Sequence, residues 1–325
     1  MDELIGAAPL KLISSNWFAV KKFRHTTLPI PQPKRHTKEE MQMKRLSPYL
    51  SIFLAVTVLF GLATPGVHAQ EEVETKEDVK EKFAKDKTGT NPMNFTFDAR
   101  VYNEFQWLNT AGDGHQNLTT FEFRAPFAGG KWQFRSKIRA VGLKADFNDD
   151  GIDDVDEFGF GDTDIRFMTI PYLNIQKRLA VAVGVEFFLN TASEDALGAG
   201  ATTVAPLVFL GYFNPIGPGS ILVPGYQHKF SIDEDAGRSR VHQGLIDMFL
   251  VKTWDNNQFW GYIDPQILLD YENDTEFMLL EIQAGMMVDK YLGTKGNSAW
   301  IMPSFGVGGD RPYDVSLEVG YKVVW

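Results

Sequence analysis

From Met93 onward, apolar and polar side chains alternate with a period of two. Phe95, Phe97, Ala99, Val101, Phe105 and Trp107 share one parity, while Thr96, Asp98, Arg100, Glu104 and Gln106 hold the other. The chain ends the same way. Tyr313, Val315, Leu317, Val319, Tyr321, Val323 and Trp325 alternate with Asp314, Ser316, Glu318, Gly320 and Lys322. Successive side chains of a strand point to opposite faces, so each stretch has one apolar and one polar side. The pattern predicts twelve strands, near 93–109, 117–128, 131–145, 161–173, 178–190, 202–213, 220–232, 240–254, 258–272, 275–290, 298–308 and 312–325. The sixth is the least regular, because both parities of Val204–Tyr212 are apolar.

Gly129-Gly130 marks a tight hairpin and fixes a register. It sets Phe127 against Trp132, Ala125 against Phe134, Phe123 against Ser136 and Phe121 against Ile138. The same register sets Arg124 against Arg135, Glu122 against Lys137 and Thr120 against Arg139. Apolar meets apolar and polar meets polar, an agreement that a one-residue slip would destroy.

A soluble sandwich also alternates, but its strands average about five or six residues. The stretches here are longer, and about 9–11 tilted residues cross a bilayer. Connections alternate too: Gly129-Gly130, 174–177 and 255–257 are tight, whereas 146–160, 191–201 and 233–239 are long and polar. Aromatic residues gather near strand ends at Trp107, Phe127, Trp132, Phe213, Trp254, Phe259 and Trp300. Short turns on one side, long loops on the other and aromatic girdles predict an all-β, closed antiparallel transmembrane barrel. In lipid an open edge leaves backbone groups unpaired, so the first and last strands should pair. A secreted soluble β-protein is the alternative.

Composition refines this. The body of the chain has no apolar run of about 20 residues, which a membrane helix requires. One shorter run, Leu46–Ala63, follows Lys44-Arg45 and leads to Val67-His68-Ala69. A charged start, an apolar middle and small residues at the end predict a signal peptide over 43–69, with a membrane anchor as the alternative. Residues 1–42 are then an unneeded leader, with a natural start at Met41 or Met43. Residues 70–92 are dense in Glu, Lys and Asp, and form either a solvated periplasmic tail or a plug for the barrel. Residues 93–325 are the barrel in the bacterial outer membrane.

The net charge is −10, and residues 1–69 hold 9 of the 32 basic and 4 of the 42 acidic side chains. The remainder carries 23 basic against 38 acidic residues, or −15, which excludes a nucleic-acid partner. Cysteine is absent, so neither disulfides nor thiolate chemistry is available.

Gly159-Phe160-Gly161-Asp162-Thr163-Asp164 and Gly184-Val185-Glu186-Phe187-Phe188-Leu189-Asn190-Thr191 carry a resemblance. With the terminal aromatic strand, they resemble the porin-like outer-membrane family labelled transporters of the meta-pathway of phenol degradation. The resemblance implies a barrel that passes small organic molecules, and it supplies no catalytic residues. Tyr321, Val323 and Trp325 also resemble the C-terminal signature read by the barrel-assembly machinery. The expected partners are that machinery, outer-membrane lipid and small solutes.

Two constellations are candidates for chemistry. Asp146-Phe147-Asn148-Asp149-Asp150-Gly151-Ile152-Asp153-Asp154-Val155-Asp156-Glu157 fits a twelve-residue calcium loop. Asp146, Asn148, Asp150, the Ile152 carbonyl, Asp154 and Glu157 would be the ligands, although Asp153 stands where an apolar residue is usual. The alternative is a solvated acidic loop, and no cofactor is otherwise required.

The second is a charged lumen. Asp98, Arg100, Glu104, Glu122, Arg124, Arg135, Lys137 and Arg139 lie on the first three strands, and Asp162, Asp164, Arg166 and Glu186 follow. Asp264, Asp270, Glu281 and Asp289 make the later wall acidic. This predicts either a conducting pore or a salt-bridged, filled lumen. The expected function is passive passage of small, hydrophobic or aromatic solutes, with 146–160 and 191–201 constricting the outer mouth. A structural or adhesive barrel is the alternative. A lipid hydrolase using His228 or His242 comes third, since no Gly-x-Ser-x-Gly elbow is present and no enzyme is expected.

Overall fold

The computed structural model describes residues 93–110, 114–146, 154–174, 176–254, 257–293 and 296–325. The expected leader, signal peptide and tail lie outside the described residues, as does most of the acidic loop. The strands are β1 (Asp98–Leu108), β2 (Gly114–Phe127), β3 (Trp132–Ala145), β4 (Val155–Phe160), β5 (Thr163–Asn174), β6 (Leu179–Leu189) and β7 (Ala201–Phe213). They continue as β8 (Ser220–Glu234), β9 (His242–Trp254), β10 (Phe259–Asp270), β11 (Thr275–Met287), β12 (Asn297–Val307) and β13 (Tyr313–Val324). Each pairs antiparallel with its neighbour, and β1 joins β13 from Asp98↔Val324 to Leu108↔Tyr313. Twelve strands therefore close a barrel, with β4 as an addition.

β4 and β5 act as two pieces of one long partner for β3. β5 pairs with β3 from Trp132↔Thr169 to Lys137↔Asp164, and β4 continues from Ala140↔Phe160 to Ala145↔Val155. Between them this partner inserts one extra residue, a bulge where Gly161 N–H donates to the Arg139 carbonyl at 3.0 Å. The long polar connection expected at 146–160 thus shrinks to 146–154, because 155–160 continues the ladder. The tenth expected strand also stops early: β11 ends at Met287, and a helical turn follows at Asp289–Leu292.

The β2–β3 register is the expected one at every pair, from Phe127↔Trp132 to Thr120↔Arg139. Its turn occupies four residues rather than two, because Ala128, Gly129 and Gly130 all take positive φ. The β2–β3, β5–β6, β7–β8, β9–β10 and β11–β12 junctions share one end of the barrel, the turn end, with the start of β1 and the end of β13. The opposite, loop end carries the β1–β2, β3–β4, β6–β7, β8–β9, β10–β11 and β12–β13 junctions.

The apolar parity faces outward. Val101, Phe121, Ile138, Val183, Leu210, Ile301, Leu317 and Val319 are exposed, as a lipid-facing wall requires. A ring of exposed aromatics marks the turn end, including Phe127, Trp132, Tyr172, Tyr212, Trp254, Phe259 and Trp325. Two aromatics expected in the girdles lie elsewhere. Phe213 turns inward among Ile221, Val223 and Val251, and Trp300 turns into the lumen.

Candidate functional site: the lumen

Every strand of the closed barrel contributes to a central cavity of about 460 Å³. Two inward-facing apolar clusters bound it. At the turn end, Met93 and Phe95 precede β1 and pack with Ala180, Ala182, Phe213, Ile221 and Val223. This explains the double apolar pattern of β7: Leu207 and Phe209 belong to an apolar floor, and Ala205 is buried on the same parity. At the loop end, Leu118, Val141, Leu143, Phe277, Leu279 and Tyr313 form the second cluster.

Loop 190–200 completes that upper cluster by folding inward. A short 3₁₀ turn, Asp195–Leu197, presents Ala196 and Leu197 to the cluster, and Leu197 is fully buried. Buried Asp162, at the β4–β5 bulge, holds the loop there. Its carboxylate accepts the Thr191 and Ala192 N–H groups at 3.2 Å and the Ala199 N–H at 2.7 Å. Arg238 adds a hydrogen bond to the Asp195 carbonyl at 2.6 Å.

Between the clusters the lumen is charged and asymmetric. On β1–β6, Arg100 Nε donates to Asp98 at 2.7 Å and lies 3.6 Å from Glu122. Glu122 also holds Arg124 and lies 3.7 Å from Lys137. Arg135 and Arg166 both bind Glu186, the latter at 2.6 Å, and Arg139 binds Asp164 at 2.5 Å. Six basic side chains thus share the four carboxylates Asp98, Glu122, Asp164 and Glu186, and Lys229 on β8 lines the same cavity.

The facing wall is aromatic and acidic. Across β10 to β13 the register sets Trp260, Gly285, Trp300 and Gly320 in one row. Each indole lies flat over the next strand's glycine; a Cβ on Gly285 would come within 2.2 Å of Trp260, and one on Gly320 within 2.1 Å of Trp300. Trp300 Nε1 donates to Glu318 at 2.6 Å, and Trp260 Nε1 donates to Gln283 at 3.1 Å. Glu104, Asp247, Asp264, Glu281 and Glu318 stand on this side, and none forms an ion pair among the described residues.

No protein-family model and no curated protein sequence matches this chain. Solved structures do. The crystal structure of the COG4313 outer membrane channel from Pseudomonas putida F1 matches with a TM-score of 0.55 and 11% identity, over 71% of this chain and 96% of that one. The fold is that of an outer-membrane barrel. Two further similar structures are the NanC porin, at TM-score 0.46, and the KdgM porin, at 0.44. Each covers 70% of this chain, at 11% and 10% identity, and 98% and 99% of its own.

Within this barrel, Arg100, Glu104, Glu122, Arg124, Arg135, Lys137, Arg139, Asp164, Arg166, Glu186 and Glu281 line the cavity. Asp98 is buried beneath Arg100, and Asp264 is buried beside Gln266 at 2.8 Å. Asp162 holds the inward loop. Asp270 caps a turn instead, accepting the Glu272 and Asn273 N–H groups at 3.0 and 3.1 Å. Asp289 likewise accepts Gly296 and Asn297 N–H at 2.9 and 2.6 Å, because its strand has already ended.

Sequence reasoning passed over Lys229, Asp247, Glu318 and Lys322. The last two sat in plain view on the polar parity of β13. Lys229 and Asp247 lie in strands whose inward parity mixes apolar and charged residues, so alternation alone gives no signal there. Of the expected calcium ligands, Asn148, Asp150 and Ile152 lie outside the described residues, while Glu157 sits in β4 opposite Leu143.

His228 and His242 lie on the outer wall, with ring centroids 5.1 Å apart. The Tyr226 hydroxyl is 2.9 Å from His228 Nδ1. That partner is a phenol, not the serine or carboxylate a hydrolase would place there. His115 stacks on Phe105 at 5.3 Å.

Proposed function

We propose that this protein is a passive transport barrel of the bacterial outer membrane for small solutes, hydrophobic and aromatic ones included. One observation carries the reading: a ligand-sized cavity to which every strand of the closed barrel contributes, rich in charge between two apolar ends. Pockets of about 300–1,000 Å³ hold drug-sized molecules, and this cavity lies in that range. The inward loop 190–200 is the constriction at the outer mouth. The aromatic row and the apolar floor give a ring-sized solute surface to slide along, in keeping with the resemblance to the phenol meta-pathway family. The outer wall, with its exposed aromatic residues, lies against lipid, and the terminal segment with Tyr321, Val323 and Trp325 is the one offered to the assembly machinery. Proteoliposome swelling tests the reading. Vesicles carrying the protein should swell faster than empty ones in small aromatic alcohols; equal rates would refute transport.

The acidic loop is a separate proposal, a calcium site that orders the β3–β4 connection. Calorimetry should show calcium uptake that Asp150→Ala abolishes; equal heats from both forms would dismiss it.

A further inference from the structure

The basic wall and the apolar floor meet inside one cavity, and their junction has a chemistry that transport alone does not specify. We propose that it is a binding site for an anionic amphiphile: a small molecule with one carboxylate, held by Lys137 and Lys229, and an apolar body of ring size. The inference rests on the lumen being the solute path, and it names the class of solute.

The register brings the two lysines to one tier. Lys137 on β3 stands opposite Asp164 on β5, and Asp164 stands opposite Phe188 on β6. Lys229 reaches that tier from β8, with its Nζ 3.9 Å from the Phe188 ring centroid. Among the described residues Lys229 has no carboxylate within ion-pair distance. Lys137 has only Glu122, at 3.7 Å, which Arg100 and Arg124 already engage. Arg135, 8% exposed, keeps an Nε without a hydrogen-bond partner.

An ammonium in a low-dielectric wall without its own counterion draws an anion strongly. Below it, Met168, Phe209, Val223 and Phe249 offer an apolar bed for the rest of the molecule. The opposite wall limits the ligand to one anionic group, since Glu104, Glu281 and Glu318 would repel a second. It is a poorer cation site. Glu318 already accepts the Trp300 N–H, and Asp264 already accepts Gln266.

Calorimetry on the full chain in nanodiscs, with empty nanodiscs as reference, provides the test. Benzoate, benzyl alcohol and benzylamine share one ring and differ in charge. Benzoate should bind tightest and benzylamine weakest. Lys137→Gln with Lys229→Gln should weaken benzoate at least tenfold and leave benzyl alcohol unchanged. Lys229→Arg should retain benzoate, which keeps the test valid if the double variant fails to fold. Equal affinity for benzoate and benzyl alcohol, undiminished benzoate binding in the double variant, or tightest binding of benzylamine would each overturn the proposal. Swelling measured on the same wild-type preparation separates the two readings. Vesicles that swell but show no benzoate preference refute only the site. Benzoate binding without swelling refutes transport.

Discussion

Trp260 and Trp300 lie flat against the barrel wall because the strand beside each carries a glycine, not because the lumen is wide. With side chains at both glycines the indoles would have to stand into the cavity and fill it. Gly320→Ala tests this, since the new Cβ would press on Trp300 at 2.1 Å and disturb its hydrogen bond to Glu318. Overpacking of this kind costs about 1–3 kcal/mol. Urea unfolding in vesicles should show that loss together with a shifted tryptophan emission. Gly309→Ala, where nothing lies within 4 Å of the added carbon, should show neither. Alternation in the sequence set the face of the charged residues on the first strands, and so most of the basic wall was legible. The glycine–tryptophan row was not. It depends on which residues meet across four strands, and only the registers supply that.

At the scale of elements, the β4–β5 bulge and loop 190–200 form one unit. The Gly161 N–H anchors the bulge on the Arg139 carbonyl, Asp162 turns inward beside it, and the Asp162 carboxylate collects three backbone N–H groups of the loop. Asp162→Ala leaves those donors without an acceptor, at a cost of about 1–3 kcal/mol. The loop should then leave the upper cluster, and amide exchange at Thr191, Ala192 and Ala199 should accelerate. Exchange rates matching the wild type would show that the loop does not depend on Asp162. The strands themselves were largely readable, because a period of two and a glycine turn fix both face and register. The boundary at 155–160 was not, since acidic residues in a short outer strand look like loop residues. The apolar inward parity of β7 also obscured its face, because a lumen with an apolar floor breaks the rule that inward means polar.

For the whole molecule, the account needs one surface toward lipid and the other toward a water-accessible path. Val319, halfway along β13 and 49% exposed, faces outward. Val319→Arg should destabilise the barrel in bilayers by about 2–4 kcal/mol. Gln266→Lys, which faces the cavity next to Asp264, should cost far less, and similar losses at both positions would mean that the faces are misassigned. Closure follows from the β1–β13 ladder, and the outward and inward parities were visible before it. The absence of cysteine makes the decisive measurement clean. Lys229→Cys, placed in planar bilayers, should give discrete current steps that fall when a charged thiosulfonate reagent modifies the new thiol. The absence of steps, or steps indifferent to a reagent shown by mass to have reacted, would contradict passage through the lumen.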